Sequence, residues 1–215
     1  MNENSFEAQY DVTKKSKLRK FYEESKVLIF SAILILVIAI VSIGFYLEIK
    51  EKKKTQLAEN YIEAKIYAEI GNSNKAINIL KTIIFTNDST YSTLSLFLIL
   101  DKNLKVEQNE LLHLFDHVLK NNKFEKEVRN LIIFKKALFQ SNFVNESELL
   151  VSVNPLINTE TLWKPHALLL LGDYFFSKKQ YFKAKEFYIR VLSLKDLHQD
   201  LYKQATSQLM LIVND

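Results

Sequence analysis

Residues 27–47 read VLIFSAILILVIAIVSIGFYL, and this run of 21 residues contains no Asp, Glu, Lys or Arg. Fifteen of its residues are Val, Leu, Ile or Phe. At about 1.5 Å per residue, a helix of this length reaches about 30 Å, which matches the hydrocarbon core of a bilayer. The sequence therefore predicts a membrane-spanning helix that begins at Val27 and ends at Leu47.

Two other kinds of segment can contain an apolar run. A core helix of a soluble protein seldom exceeds about 12 wholly apolar residues, and here lysine-rich segments follow on both sides. A cleaved signal peptide has an apolar region of about 7–15 residues that leads to an A-x-A site. This run is longer, follows a polar segment of 26 residues and precedes no such site. An uncleaved signal anchor is therefore favoured.

The basic residues on the two sides of the run predict its orientation. Cytoplasmic flanks of membrane helices carry an excess of Lys and Arg within about 15–20 residues of the span. Residues 1–26 should therefore form a basic cytoplasmic tail, with residues 48–215 in the periplasm of a bacterium or an equivalent outer compartment. The basic residues are Lys14, Lys15, Lys17, Arg19, Lys20 and Lys26 before the span, and Lys50, Lys52, Lys53 and Lys54 after it.

Composition predicts that residues 48–215 form one all-α domain. The whole chain has three Gly and two Pro, too few for the turns of a β-rich fold or for phosphate-binding loops. The net charge of +4 does not indicate nucleic-acid binding, because the basic residues flank the span or alternate with acids on helices. Cysteine is absent, which excludes disulfides and thiolate sites.

Apolar residues at helical spacing predict a series of helices after the span. Ser73 is the predicted N-cap of the second, and Asn154 with Pro155 should end the sixth. The helix over 90–100 is apolar on nearly all sides, which predicts burial. The helices are expected over 48–70, 73 to about 87, 90–100, 107–120, 124–140, 146–153, two segments after residue 163, and 198–213. The fifth carries a predicted inner stripe of Val128, Leu131, Ile132, Lys135 and Leu138.

The segment LWKPHALLLLGDYFFSKKQYFKAKEFYIRVLSL, residues 162–194, carries a helix-pair pattern. The spacing L-x2-L-G-x2-F, followed by A-x3-Y, places small residues where two helices touch and large ones beside them. Gly172 and Ala184 are the predicted contact points. An earlier set has the same spacing, offset by about 108 residues. Ala64, Tyr67, Ala76 and Leu80 repeat the spacing of Gly172, Phe175, Ala184 and Tyr188, with Gly71 between the two earlier helices and Leu168 and Leu171 before Gly172.

This pattern resembles the tetratricopeptide repeat, although Leu168 stands where that repeat often has Trp, and Asp196 where it often has Pro. A basic tail, one span and a degenerate tetratricopeptide-like domain with W-K-x-x-A-L-x-L-L, from Trp163, together resemble the YfgM-like family of ancillary subunits of the bacterial SecYEG translocon. The resemblance implies a protein-binding domain. Its expected partners are translocon subunits, periplasmic chaperones or secreted proteins. Because the sequence has no Gly-rich phosphate loop and no G-x-S-x-G, H-E-x-x-H or D-x-D-x-D-G motif, we expect no enzymatic activity and no cofactor.

Two other functions are also compatible with the sequence. One is a scaffold for envelope assembly or cell division. The other is a metal enzyme, because His113 and His117 lie four residues apart on a predicted helix near Glu110 and Asp116. A solvated helix face is favoured, since no third ligand is evident and His166 and His198 are distant. Aromatic residues of the last helices can line a peptide groove or pack in the core: Tyr174, Phe176, Tyr181, Phe182 and Phe187.

Overall fold

The computed structural model describes residues 17–213 of the chain, with side chains over 25–212. Within that range every regular element is an α-helix, which confirms the predicted all-α class. Residues 1–16 of the predicted basic tail, with Lys14 and Lys15, lie outside the described residues. The helices are α1 (Lys17–Glu69), α2 (Ser73–Ile84), α3 (Ser89–Asp101), α4 (Gln108–Asn121), α5 (Lys126–Gln140), α6 (Glu146–Ile157), α7 (Lys164–Ser177), α8 (Tyr181–Leu192) and α9 (Gln199–Val213).

The contacts divide the chain into two units, Met1–Gln56 and Leu57–Asp215. In the first unit, the apolar run of residues 27–47 lies within α1 without a break. Its two ends are exposed, Val27 at 77% and Leu47 at 56%. None of the most apolar 18-residue stretch is buried, so this is not the packed core helix of a soluble protein. Its length and composition are sufficient to cross a membrane.

In the second unit, helices adjacent in the chain pack on one another. The most extensive pairs are α7 with α8, α2 with α3, α8 with α9, and α5 with α6. Their apolar faces form two cores, one built from Ala64 to Ile132 and the other from Ala137 to Ala205. Helix α5 contributes to both, through Ile132 and Ala137, and so joins the two halves of the domain.

Two helix ends 108 residues apart have the same backbone geometry. After α1, the N–H of Asn72 donates to the carbonyl of Tyr67 at 2.8 Å, and Gly71 has a positive φ of 83°. After α7, the N–H of Gln180 donates to the carbonyl of Phe175 at 2.9 Å, and Lys179 has a φ of 59°. This six-residue hydrogen bond with a left-handed residue inside it is a Schellman ending. It turns the chain tightly into the next helix in both places.

One predicted cap and two predicted helix ends differ from the structure, and the first of these ends is that of α2, which stops at Ile84 and not near residue 87. Asn72, not Ser73, is the N-cap of α2, because its side chain accepts a hydrogen bond from the N–H of Lys75. Helix α6 does not end at Asn154 and Pro155 but continues to Ile157. Pro155 donates no backbone hydrogen bond to the preceding turn. The turn forms nonetheless because Leu156, one residue further, is fully buried in the core.

Two predicted core faces are partly wrong. On α5, Ile132 is fully buried, but Val128 and Leu138 at the two ends of the predicted inner stripe are exposed at 41% and 43%. On α3, Leu96 and Ile99 are buried as predicted, whereas Leu94 is exposed at 40%. These exposed side chains therefore lie on a face of the domain that its own helices leave uncovered.

Candidate protein-binding groove

The predicted helix-packing residues lie in the cores. All of them are buried except Gly71, which is exposed in the turn after α1, and Tyr67, which is half-buried and hydrogen-bonded through its hydroxyl to the amine of Lys75. At Gly172, a Cβ atom would lie 2.7 Å from Cδ1 of Tyr188 and 3.0 Å from its Cζ. The ring of Tyr188 therefore fills the space that a side chain at residue 172 would need. The buried residues are Ala64, Ala76, Leu80, Leu168, Leu171, Gly172, Phe175, Ala184 and Tyr188.

A groove lies between α5, α7 and α9, and we call it the α5–α7–α9 groove. Its central cavity has a volume of about 260 Å³. A larger cavity of about 650 Å³ adjoins it at the N-terminal end of α7 and shares two lining residues, His166 and Leu201. The central cavity is lined by Phe134 and Leu138 of α5, His166, Leu169, Leu170 and Asp173 of α7, and Leu201 and Gln204 of α9.

Hydrogen bonds between α5 and the segment before α7 fix one end of this groove. The indole N–H of Trp163 donates to the backbone carbonyl of Glu127 at 3.1 Å. The Glu127 carboxylate accepts from the hydroxyl of Thr161 at 2.7 Å. The ring of Trp163 also stacks on Phe134, with centroids 5.5 Å apart. These contacts attach the start of α7 to α5 at one end of the groove.

The groove contains two titratable side chains whose pKa values are displaced by burial. Asp173 is half-buried, and loss of hydration raises the pKa of its carboxyl, while the hydrogen bond from the Tyr188 hydroxyl acts in the opposite direction. That hydroxyl donates to Oδ1 of Asp173 at 2.8 Å. Burial lowers the pKa of His166, which favours its neutral form near pH 7. Five of the eight residues that line the central cavity are apolar, and Asp173 is the one acid among them.

A second uncovered cavity, of about 390 Å³, lies between α3 and α5. Leu94 and Phe97 of α3 and Val128 of α5 form part of its lining. Nearby, the amine of Lys135 lies 5.6 Å from the ring centroid of Phe97 and 3.8 Å from Asp101. Helix α5 thus places Val128 at this cavity and Leu138 at the α5–α7–α9 groove, which explains why both are exposed.

The two histidines of α4, His113 and His117, differ in their surroundings. Nε2 of His117 lies 2.8 Å from Oδ1 of Asn87, and its Nδ1 lies 3.1 Å from Nδ2 of Asn121. His113 is exposed. The nearby acids are engaged by lysines, Glu110 by Lys81 and Asp116 by Lys136. Across the part of the chain that the structure describes, no group of three or more His, Cys, Asp or Glu residues could hold a metal ion.

The aromatic residues of the last helices do not line the cavities described above. Tyr174 is buried and donates its hydroxyl to the carbonyl of Val144 at 3.2 Å. Phe176 and Phe187 pack partly against the C-terminal core, and Phe182 is exposed at 85%. The groove residues Phe134, Leu138, Asp173 and Leu201 were not predicted as a site. Their joint position depends on how three helices pack, and no spacing along the chain reveals it.

Comparison of the chain with protein-family models, with curated proteins and with solved structures found no significant match.

Proposed function

We propose that this protein is a membrane-anchored protein-binding module, whose helical domain holds segments of other polypeptides in the α5–α7–α9 groove. The groove itself is the observation that supports this function most strongly. It is bounded by three helices, five of its eight lining residues are apolar, and Leu138 is 43% exposed in its wall. Helical repeat stacks use such faces to bind extended or helical peptide segments.

We further propose that α1 spans the inner membrane of a bacterium through residues 27–47, with the N-terminus in the cytoplasm. Support comes from the absence of charge in the span and from the larger number of basic residues before it than after it. Residues 48–215 would then lie in the periplasm. The lipid bilayer is thus one partner of the chain, and nucleic acid is not.

The proposed mechanism uses proximity. A domain anchored beside a translocation channel meets emerging chains at a high effective concentration, so that weak contacts are sufficient for capture. The resemblance to YfgM-like proteins supports translocon subunits, periplasmic chaperones and secreted proteins as the partners. The proposed activity is binding without catalysis, and it requires no cofactor.

Site-specific photo-crosslinking in the membranes of the source cell tests this function. A photoreactive residue in place of Leu138 lies in the groove, whereas the same residue in place of Phe182 lies on the exposed surface of α8 and serves as the control. Adducts with secreted chains, translocon subunits or periplasmic chaperones should form from Leu138 and be much weaker from Phe182.

The same experiment separates the secretion role from the scaffold alternative. Adducts from Leu138 that contain cell-division or wall-synthesis proteins, without secreted or translocon proteins, would support a scaffold and contradict a secretion role. Equal adducts from both positions would contradict the assignment of binding to the groove.

A further inference from the structure

Asp173 places a half-buried carboxylate in the lining of the α5–α7–α9 groove. Several of the other described acids form ion pairs with lysine, including Glu63, Glu69, Asp101 and Glu146. Asp173 is more buried than most surface acids, yet it forms no ion pair with any residue that the structure describes. Its hydrogen-bond partner there is the neutral hydroxyl of Tyr188, on Oδ1. Oδ2 has no hydrogen-bond partner among the residues that the structure describes, and Asp173 lines the central cavity.

The surroundings of Asp173 define which group is complementary to it. The rest of the central cavity is formed mainly by the apolar side chains of Phe134, Leu138, Leu170 and Leu201. His166 is the other titratable group of the lining, and its lowered pKa leaves it mostly neutral at pH 7. A lysine or arginine fits this combination, because its long apolar stem can lie on leucine side chains while its cation meets the carboxylate.

The larger adjoining cavity lacks this single charge. It contains the paired Glu160 and Lys164, 2.7 Å apart, together with Lys195 and Asp196. Because both signs are present there, that cavity provides little discrimination between basic and acidic segments. Charge selection is therefore concentrated at Asp173.

We propose that the α5–α7–α9 groove selects polypeptide segments in which a lysine or arginine stands next to apolar residues, with the cation of that residue paired to Asp173. This inference rests on the proposed protein-binding function and adds the chemistry of the bound segment. An ion pair in this partly desolvated position is worth more than one on the open surface, where the median contribution is small.

The test uses the full-length protein in lipid nanodiscs and a panel of fluorescein-labelled 12-residue peptides. The peptides share the same leucines and differ at one central residue, which is Lys, Gln or Glu. Fluorescence anisotropy should show that the Lys peptide binds about fivefold more tightly than the Gln peptide, with the Glu peptide weakest. Asp173→Asn keeps an acceptor for Tyr188 and should bring the Lys and Gln peptides within about twofold of each other.

Three further variants complete the design. Glu186→Gln removes a negative charge from an exposed position of α8 and should leave the lysine preference unchanged. Gln204→Glu adds a second carboxylate to the lining of the groove and should increase that preference, which keeps the proposal testable if Asp173→Asn fails to fold. Leu138→Glu places a carboxylate among the apolar residues of the wall and should weaken the Gln and Glu peptides, which have no cation to pair with it.

The outcomes separate the two proposals. Equal affinity for the Lys and Glu peptides, or a lysine preference that survives in Asp173→Asn, overturns the selection of basic segments. If Leu138→Glu still weakens the Gln and Glu peptides in that case, the protein-binding function stands. If no peptide binds, and a reduced, carboxymethylated unfolded protein does not bind either, both proposals fail.

Discussion

Gly172 of α7 and Tyr188 of α8 share one space, since the Tyr188 ring lies where a Cβ at residue 172 would be. Tyr188 is among the largest fully buried side chains, and its hydroxyl reaches Asp173, the neighbour of Gly172 in sequence. The contact between α7 and α8 thus also positions the acid of the α5–α7–α9 groove. These residues therefore take part both in the packing of α7 on α8 and in the position of the acid in the groove.

Gly172→Ala should destabilise the helical domain. The added methyl group overlaps a buried ring in a tightly packed helix pair, and overpacking of this kind costs about 1–3 kcal/mol. Thermal unfolding of the full-length protein in detergent, followed by the fluorescence of Trp163, measures the change. Gly71→Ala is the matched comparison, because a Cβ there meets nothing within 4 Å and only the positive φ opposes it. An unchanged unfolding temperature for Gly172→Ala would show that α7 and α8 do not pack this closely.

Asp173→Asn should stabilise the folded protein near pH 7, although it weakens the proposed binding of basic peptides. Burial raises the carboxyl pKa above its ordinary value of 3.8, so the folded state binds protons more readily than the unfolded state. The stability of the natural protein is thus favoured below pH 3.8 and falls as pH rises through the raised pKa. The Asn variant should become the more stable protein as pH rises from 3.8 through the raised pKa, and the difference in stability should vanish at lower pH.

Denaturant unfolding of both proteins between pH 3 and 8 measures this difference. Comparison of the two proteins at each pH removes the contribution of His166. The lowered pKa of this histidine makes stability rise with pH, over an interval that ends at its ordinary value of 6.5. A loss of stability in Asp173→Asn at pH 7 would mean that the carboxylate is a structural group of the α7–α8 pair.

His117→Ala should lower the free energy of unfolding by about 1–2 kcal/mol. It should not change metal binding, because we expect no metal site at this histidine. The imidazole bridges Asn87 and Asn121 and lies with its edge against Phe85 at a centroid distance of 4.6 Å. His113→Ala, at an exposed position of the same helix, should change stability by less than about 0.5 kcal/mol. Stoichiometric zinc binding by the natural protein, abolished in either variant, would instead support the metal enzyme.

The sequence was sufficient for the helical class and for most helix positions because three-to-four residue periodicity is a local property. It was not sufficient where two local signals compete or where packing overrides one. Asn72 and Ser73 are both good N-caps, and only the backbone decided between them. Lys179 adopts the left-handed conformation that Gly71 adopts, and its sequence gives no sign of this.

The candidate site was harder to predict than the fold. The predicted inner stripe of α5 joins Val128, Leu131, Ile132, Lys135 and Leu138. Helical periodicity cannot distinguish a core face from a groove face when both are apolar. The structure separates them, because α5 turns Ile132 into the core and leaves Val128 and Leu138 uncovered. Asp173 lies inside the L-x2-L-G-x2-F spacing, but at a position that this pattern leaves unspecified, and its role depends on α5 and α9 on either side.

The most direct test of the account is the location of the helical domain in living cells. Alkaline phosphatase, which is active only outside the cytoplasm, and green fluorescent protein, which in this assay fluoresces only inside it, are each fused after Asp215. Deletion of residues 27–47 provides the control that should remain in the cytosol. With the helical domain in the periplasm, the phosphatase on the full chain should be active and the fluorescent protein should not fluoresce. Inactive phosphatase with bright fluorescent protein would place the domain in the cytosol and contradict both its proposed location and its proposed partners.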